Sequence, residues 1–173
     1  MIVCLGWGSL VWNPESLSIK DEWQHDGPLL PVEFLRQSSD GRLTLVIDPS
    51  SPPVQVLWAE MNVSELSEAV KQLKNCEGTS SSNIGRWPEA STYSYGKEIG
   101  TWAVSKGISG VVWTALGSKF SGTDDLRPSQ DEAVAYLSGL NGEQEQLAKE
   151  YVQKAPLQID THYRRVFATK FGW

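Results

Sequence analysis

The sequence contains little cysteine and little histidine, and it has no long apolar run. Two cysteines, Cys4 and Cys76, cannot build a disulfide framework, and Cys4 is expected to be a small buried side chain. The two histidines, His25 and His162, do not recur at the spacing of zinc ligands, so no metal is expected. No apolar stretch approaches the ~20 residues that a membrane-spanning helix needs, so no membrane association is expected.

Basic residues are also scarce. The 15 lysines and arginines are outnumbered by 21 acidic residues, which gives a formal net charge of −6. Because nucleic-acid binding needs a basic face, no nucleic-acid partner is expected. The first residues, Met1–Leu5, lack the charged n-region of a signal peptide, so the cytoplasm is the expected location.

The length of 173 residues suits a single domain over residues 1–173, because domains usually run ~100–200 residues. Eight tryptophans are spread along the chain without regularly interleaved basic residues. They are therefore expected in the core and in pocket walls rather than in a platform for nucleic-acid bases.

Several strand patterns occupy the N-terminal part of the chain. Ile2–Gly6 is a short apolar run that ends in glycine, and it predicts a buried first strand. Leu30–Gln37 and Leu43–Ile47 flank Asp40-Gly41, a hairpin turn signal. Val54–Met61 alternates imperfectly and predicts a further strand.

An amphipathic helix follows, capped by Ser64 and ending near Asn75, where Gly78 supplies a C-terminal signal. Ser109–Leu116 then predicts a strong later strand. The apolar stripe of the helix has the i, i+3, i+4, i+7 spacing and consists of Leu66, Ala69, Val70 and Leu73.

The C-terminal part is richer in helix patterns. Ser129 and Glu132 form an S-x-x-E capping box, a second helix is predicted from about Gly142 to Ala155, and Thr161–Thr169 is expected to be a closing strand. Strands and helices do not alternate strictly, which argues against a doubly wound parallel sheet. We therefore expect an α+β fold in which helices pack on a mixed or antiparallel β-barrel.

The first candidate site is the turn Gly6-Trp7-Gly8-Ser9-Leu10, directly after the first strand. Glycine lets the backbone approach a ligand closely, successive N–H groups can form an anion-binding nest, and Ser9 adds a hydroxyl donor. A dinucleotide-binding fingerprint does not fit, because Val11 stands where its third glycine would be and Asn13-Pro14 interrupts the helix that should follow. The turn could hold a carboxylate, and a purely structural turn stays open.

The second candidate is Glu77, which lies just past the amphipathic helix and before a serine-rich loop. A glutamate in such a position is usually solvated surface, so position alone favours that interpretation. A catalytic triad of Ser9, Asp160 and His162 is a weaker hypothesis, since no nucleophile elbow is present.

Two further side chains carry weaker hypotheses. Cys76, beside Glu77, could be a thiol nucleophile, but no histidine is placed to activate it. Arg36 ends a strand among polar residues, where a ligand contact is possible and a surface arginine is the favoured interpretation.

The residues Gly6-Trp7-Gly8-Ser9-Leu10-Val11-Trp12-Asn13-Pro14 resemble the opening of γ-glutamylcyclotransferase-like proteins, especially their glutathione-specific branch. In that family a strand leads into a short helix, and a glutamate just beyond the helix is the proton shuttle. Here Val56–Met61 leads through Ser64–Leu73 to Glu77-Gly78, in the same order and at similar spacing. The similarity covers roughly residues 1–116, and the C-terminal third matches less clearly.

The resemblance implies an enzyme that cyclises a γ-glutamyl amine or peptide to 5-oxoproline and releases the amine, without metal or organic cofactor. Its partner would be a small molecule carrying a γ-glutamyl group. Glu77 would be the acid/base, and the substrate-binding turn would consist of Trp7, Gly8, Ser9 and Leu10.

The sequence departs from the family pattern in two places. Trp7 stands where the family usually has tyrosine or phenylalanine, and Pro31–Val46 is similar to a less studied bacterial branch. Two alternatives therefore stay open: a non-catalytic protein that binds a carboxylate metabolite on the same fold, and an interaction domain in which the turn is only structural.

Overall fold

The computed structural model of the chain describes residues 1–89 and 93–173. Contacts divide the chain into two units that interleave along the sequence. The first comprises Met1–Leu30 and Gln55–Leu116, and the second comprises Pro31–Val54 and Gly117–Trp173. That the two units belong to one domain over residues 1–173 stays a prediction.

The described residues form strands and helices in mixed order. The strands are β1 (Ile2–Gly6), β2 (Leu29–Gln37), β3 (Leu43–Ile47), β4 (Pro53–Gln55), β5 (Leu57–Glu60), β6 (Ile84–Trp87), β7 (Gly110–Thr114), β8 (Lys119–Phe120) and β9 (Thr123–Asp124). The α-helices are α1 (Leu66–Cys76), α2 (Gly96–Ser105), α3 (Gln130–Ser138), α4 (Gly142–Lys154) and α5 (His162–Phe171).

Helices combined with mixed sheets confirm the α+β prediction, whereas the expected barrel is not confirmed. The strands form one four-stranded and one five-stranded sheet, and neither closes on itself within residues 1–89 and 93–173. A barrel needs its two outer strands to pair with each other. In the four-stranded sheet the outer strands are β5 and β6, with β1 and β7 between them.

The sheet of the first unit brings the ends of β1 and β7 together. β1 runs antiparallel to β5 and parallel to β7, and β6 runs antiparallel to β7. The register places Ile2 beside Gly110 and Cys4 beside Val112. Because parallel strands end at the same edge of a sheet, Gly6 and Thr114 lie at one edge.

Helices α1 and α2 cover opposite faces of this sheet. The predicted apolar stripe of α1 is confirmed, and its buried side chains pack with Ile84 and Val112. Side chains alternate along a strand, so Gly85 and Trp87 face the other side, where Trp87 contacts Gly100 of α2. Val112 and Thr114 therefore share the α1 face.

The predicted cap of α1 is wrong. The residue that precedes the first helical residue is Glu65 rather than Ser64, and it makes no side-chain capping bond. The predicted helix end is close to the observed one, because α1 stops at Cys76 and Gly78 turns the chain with φ = 59°.

Two tryptophan rings pack directly against glycines, where no larger side chain would fit. A Cβ on Gly85 would lie 2.1 Å from Cε2 of Trp113, and one on Gly100 would lie 2.4 Å from Nε1 of Trp87. Such distances are far below van der Waals contact, so close packing requires glycine at both positions. Trp113 is fully buried, in agreement with the expectation that tryptophans would contribute to the core.

The predicted hairpin is confirmed in the sheet that contains β2 and β3. These strands pair antiparallel with Val32 beside Ile47, and Gly41 has φ = 90°, as a tight turn requires. The single strand predicted over Val54–Met61 is two strands, β4 and β5, which are separated at Val56. The amide of Val56 donates to the carbonyl of Pro28 at 3.1 Å.

The predicted capping box begins α3. Ser129 Oγ accepts a hydrogen bond from the amide of Glu132 at 3.3 Å, and Glu132 Oε2 accepts one from the amide of Ser129 at 2.8 Å. The helix predicted up to Ala155 is also confirmed, since α4 ends one residue before it. Among the described helices, none is both long and apolar enough to cross a membrane.

The strand predicted over Thr161–Thr169 is wrong, because this segment belongs to α5. Thr161 caps the helix by accepting a hydrogen bond from the amide of Arg164 at 3.2 Å. Tyr163 and Phe167 are buried at an i, i+4 spacing, so one helical face carries the apolar side chains.

A buried carboxylate lies at the start of α5. Glu33 on β2 is 1% exposed and accepts hydrogen bonds from Thr161 Oγ1 at 2.6 Å, Phe34 N at 2.9 Å and Tyr163 N at 3.2 Å. Burial raises the pKa of Glu33 above its ordinary value, although these three donors and the charge of His162 act in the opposite direction.

This raised pKa predicts a pH-dependent contribution to stability. Folded protein binds the Glu33 proton more tightly than unfolded protein. The resulting stabilisation is complete below the ordinary pKa of 4.5 and is lost as the pH rises through the raised pKa. We therefore expect the unfolding free energy of native protein, minus that of Glu33→Gln, to decrease as the pH rises from below 4.5 through the raised pKa. Urea unfolding at several pH values measures this difference. A constant difference for Glu33→Gln would contradict the prediction.

Candidate functional site

The turn after β1 is a single helical turn. Gly8 precedes a 3-10 helix, Ser9–Val11, in which the amide of Val11 donates to the carbonyl of Gly8 at 3.0 Å. The first amides of a helix have no carbonyl partner within it, which applies here to Ser9 and Leu10. The turn has the backbone donors that a carboxylate-binding turn needs.

Gly8 has φ = −122°, so its backbone is not in the left-handed conformation that favours glycine. The expected close approach of the backbone to a ligand stays a prediction. Trp7, Gly8 and Leu10 are buried and Ser9 is half-buried, so Ser9 is the member of the turn with the most exposed side chain.

Packing fixes the position of the turn. A Cβ on Gly6 would lie 2.5 Å from Cζ3 of Trp23 and 3.1 Å from Cγ2 of Val11, so glycine is required where the strand ends. Trp23 packs against the same core cluster that contains Leu10 and the buried side chains of α1. The turn therefore lies on the α1 face of the sheet.

Glu77 lies at the end of α1. Its amide donates to the carbonyl of Leu73 at 2.9 Å, which makes Glu77 the C-cap of the helix. Its side chain is half-buried rather than fully solvated. The usual expectation for a glutamate after a helix, a solvated surface position, therefore does not describe Glu77.

Thr114 holds the Glu77 carboxylate at the edge of the sheet. Thr114 Oγ1 donates to Glu77 Oε1 at 3.2 Å. Thr114 is the last residue of β7, and the parallel register places it at the edge where Gly6 ends β1. Glu77 and the Gly6–Leu10 turn are thus brought to the same edge and the same face of one sheet.

The charge of Glu77 also affects two nearby thiols. Burial raises the pKa of Cys4 far above the ordinary range, and the charge of Glu77 raises it further. Burial also raises the pKa of Cys76, with the charges of Glu77 and Glu15 adding to the effect. A raised pKa disfavours the thiolate, so this environment argues against Cys76 as a nucleophile.

The remaining candidate side chains have structural partners. Asp160 binds Arg165 through two contacts of 2.9 and 2.7 Å, and His162 Nε2 lies 2.7 Å from Gln130 Oε1. Arg36 Nη1 donates to the carbonyl of Gly117 at 2.9 Å, which anchors the chain. These contacts support structural roles rather than a triad or a ligand contact.

Sequence analysis did not identify Thr114. It ends the apolar run Val111-Val112-Trp113, and a hydroxyl at the end of a buried strand was the only signal available. Its neighbour Trp113 has a buried indole Nε1 without a hydrogen-bond partner among the described residues. Because side chains alternate along β7, Trp113 faces away from Thr114 and does not belong to the Glu77 site.

In the described part of the chain, no three His, Cys, Asp or Glu side chains are grouped as a metal ion would require. A reaction without metal or cofactor stays a prediction. Comparisons of the chain with protein-family models, curated proteins and solved structures found no match.

Proposed function

We propose that the chain is an enzyme of the γ-glutamylcyclotransferase type, which converts a γ-glutamyl amine or peptide to 5-oxoproline and the free amine. The observation that carries this proposal is the position of Glu77. Its carboxylate is held by Thr114 at the sheet edge where the Gly6–Leu10 turn leaves β1. A proton acceptor and a set of backbone donors on one face are the groups that the reaction needs.

The reaction is an intramolecular acyl transfer. The α-amine nitrogen of the γ-glutamyl group forms a bond to its own γ-carbonyl carbon, and the bond from that carbon to the leaving nitrogen breaks. The substrate supplies its own proximity, and well-oriented intramolecular reactions can gain ~7–11 kcal/mol in this way. The enzyme therefore has to orient one substrate and move protons from the attacking nitrogen to the leaving nitrogen.

Glu77 is the proposed proton shuttle. It accepts a proton from the α-ammonium group, which creates the nucleophilic amine, and donates it to the departing nitrogen. The second proton, which the attacking nitrogen loses on ring closure, passes to the released amine, which leaves as an ammonium ion. One carboxylate can serve both steps because the attacking nitrogen and the leaving nitrogen bond to the same γ-carbon and therefore lie close together. Thr114 is the proposed positioning residue, since its hydroxyl fixes Oε1 of Glu77.

The turn is the proposed binding element for the substrate carboxylate. The amides of Ser9 and Leu10 begin a helical turn, where backbone donors favour anions. Trp7 and Leu10 are buried and keep the backbone in place. A cavity shared by the turn and Glu77 is part of the proposal.

The direct test is an assay for 5-oxoproline. Purified protein is incubated with γ-glutamyl dipeptides, glutathione and γ-glutamyl alkylamines, with and without a chelator. We expect release of 5-oxoproline from at least one compound, unaffected by chelation. If no compound is turned over but γ-glutamyl compounds still bind, the protein is a binder of carboxylate metabolites instead. If none binds, the site has no role in γ-glutamyl chemistry.

Replacing Thr114 with valine tests the positioning role. A hydrogen bond to a charged group is worth about 1.5–3 kcal/mol, so losing it should lower kcat by about tenfold or more with little change in KM. Thr114→Ser keeps the hydroxyl and should restore most of the activity. Steady-state kinetics on the best γ-glutamyl substrate measure both variants. Equal kcat values for Thr114→Val and native protein would exclude the role.

A further inference from the structure

The second unit contains a cavity that the proposed reaction does not use. Its volume is about 280 Å³, close to the lower end of ligand pockets, which run about 300–1,000 Å³. The residues that line it include Pro52, Val54 and Tyr163, which have largely apolar side chains. Glu33 is also a lining residue.

The two arginines at this cavity already have carboxylate partners. Arg127 Nε lies 3.1 Å from Asp48 Oδ2, and Arg165 Nη2 lies 2.7 Å from Asp160 Oδ2. Each guanidinium is thereby balanced by one carboxylate. Both guanidinium charges at the cavity are paired, so an anionic ligand that binds them would have to compete with Asp48 or Asp160.

Glu33 is the carboxylate at this cavity that forms no ion pair, and the charge of His162 acts on it only from a longer distance. Of the lysine, arginine and histidine nitrogens in residues 1–89 and 93–173, none forms an ion pair with it within 4.0 Å. Its three hydrogen-bond donors are the Thr161 hydroxyl and the amides of Phe34 and Tyr163, which are neutral groups. The start of α5 offsets part of a negative charge, but a helix end supplies only about half a unit charge.

We propose that this cavity binds a small primary ammonium compound, with Glu33 as the counter-ion and Pro52, Val54 and Tyr163 as the apolar wall. The ammonium group supplies a positive charge in direct contact with the Glu33 carboxylate. A short alkyl chain occupies the apolar part of the cavity. The proposal does not rest on γ-glutamyl chemistry, and it concerns residues of the second unit only.

Three probes with one carbon skeleton test the charge preference. Propylammonium, propanol and propionate differ only in the head group, and at about pH 8 propylammonium keeps its proton because alkyl amines titrate near 10.4. Binding is followed by the amide NMR signals of Phe34 and Tyr163, whose N–H groups donate to Glu33. We expect propylammonium to bind about tenfold or more tightly than propanol, and propionate to bind most weakly.

Two variants distinguish the contribution of the Glu33 charge to binding from that of the shape of the cavity. Glu33→Gln should weaken propylammonium binding by about tenfold or more and leave propanol binding nearly unchanged. Val54→Phe fills the cavity without changing its charge and should weaken both. Glu143→Gln, an exposed position on α4, is the matched control and should bind like native protein.

Several outcomes would overturn the proposal. One is propionate or propanol binding as tightly as propylammonium, and another is no signal change with any probe up to about 50 mM, well above a millimolar Kd. If Glu33→Gln does not fold, the three probes still test the proposal on native protein and on Val54→Phe. Unchanged propylammonium binding in folded Val54→Phe would place the compound elsewhere.

Discussion

Replacing Glu77 with glutamine is expected to reduce the release of 5-oxoproline by about 10²- to 10⁴-fold, the usual contribution of general acid–base catalysis. Glutamine is nearly the same size and can still accept the hydrogen bond from Thr114, but it cannot take a proton near neutral pH. Both steps of the proposed reaction use that proton, so the loss should lie toward the upper end of the range. Steady-state assays on the best γ-glutamyl substrate measure it.

Fold and ligand binding should survive this change, because Glu77 is half-buried at a helix end rather than part of the core. The control is Glu68→Gln, an exposed glutamate on the same helix, which should keep full activity. Activity of Glu77→Gln within about threefold of native protein would exclude Glu77 as the shuttle, since acid–base catalysis is worth far more.

Replacing Gly85 with alanine is expected to cause a large loss of stability. The new Cβ would lie 2.1 Å from Cε2 and 2.3 Å from Nε1 of Trp113, whose side chain is completely buried. Overpacking of a core typically costs about 1–3 kcal/mol and sometimes more. Here the obstacle is a rigid ring in the centre of the sheet, so we expect at least the upper part of that range, measured by urea unfolding.

Two further variants make this test specific. Gly139→Ala is the control, because the atom nearest to its Cβ would be the Tyr136 carbonyl oxygen at 3.5 Å, an ordinary van der Waals contact. Trp113→Leu removes the ring and should make Gly85→Ala less costly than it is in the native background. Strictly additive effects of Gly85→Ala and Trp113→Leu would show that the ring is not the cause.

Local signals predicted much of the fold. The hairpin depends on Asp40-Gly41, and the start of α3 depends on Ser129 and Glu132, so each is determined by a few adjacent residues. Thr161–Thr169 was misassigned because its β-branched and aromatic residues favour strands locally, whereas burial of Tyr163 and Phe167 on one side selects a helix. Tertiary packing therefore determines the secondary structure of this segment.

The α2 helix and β6 were not predicted at all. Gly96 and Gly100 lower the helix propensity of α2, yet the helix forms because Gly100 accommodates the ring of Trp87. Gly85 weakens the strand pattern of β6 for a similar reason, since it makes room for Trp113. In both cases a glycine that looks unfavourable locally is required by a distant tryptophan.

In the candidate site, too, one residue could be predicted from its neighbours in the sequence and another depends on contacts between distant parts of the chain. Glu77 could be selected from the sequence because its position after a helix is a local property. Thr114 could not, because only the parallel pairing of β1 with β7 places it near the turn. No pattern in the sequence specifies which strands become neighbours.

The pairing of β1 with β7 also bears on how the chain is made. Ile2 pairs beside Gly110, so β1 is synthesised long before its central partner. At about 5–20 residues per second, the delay is on the order of ten seconds. Throughout that interval one edge of an apolar strand, Ile2–Gly6, has no partner strand and is open to non-native pairing with other chains. The growing polypeptide is therefore most vulnerable to aggregation before Gly110–Thr114 leaves the ribosome.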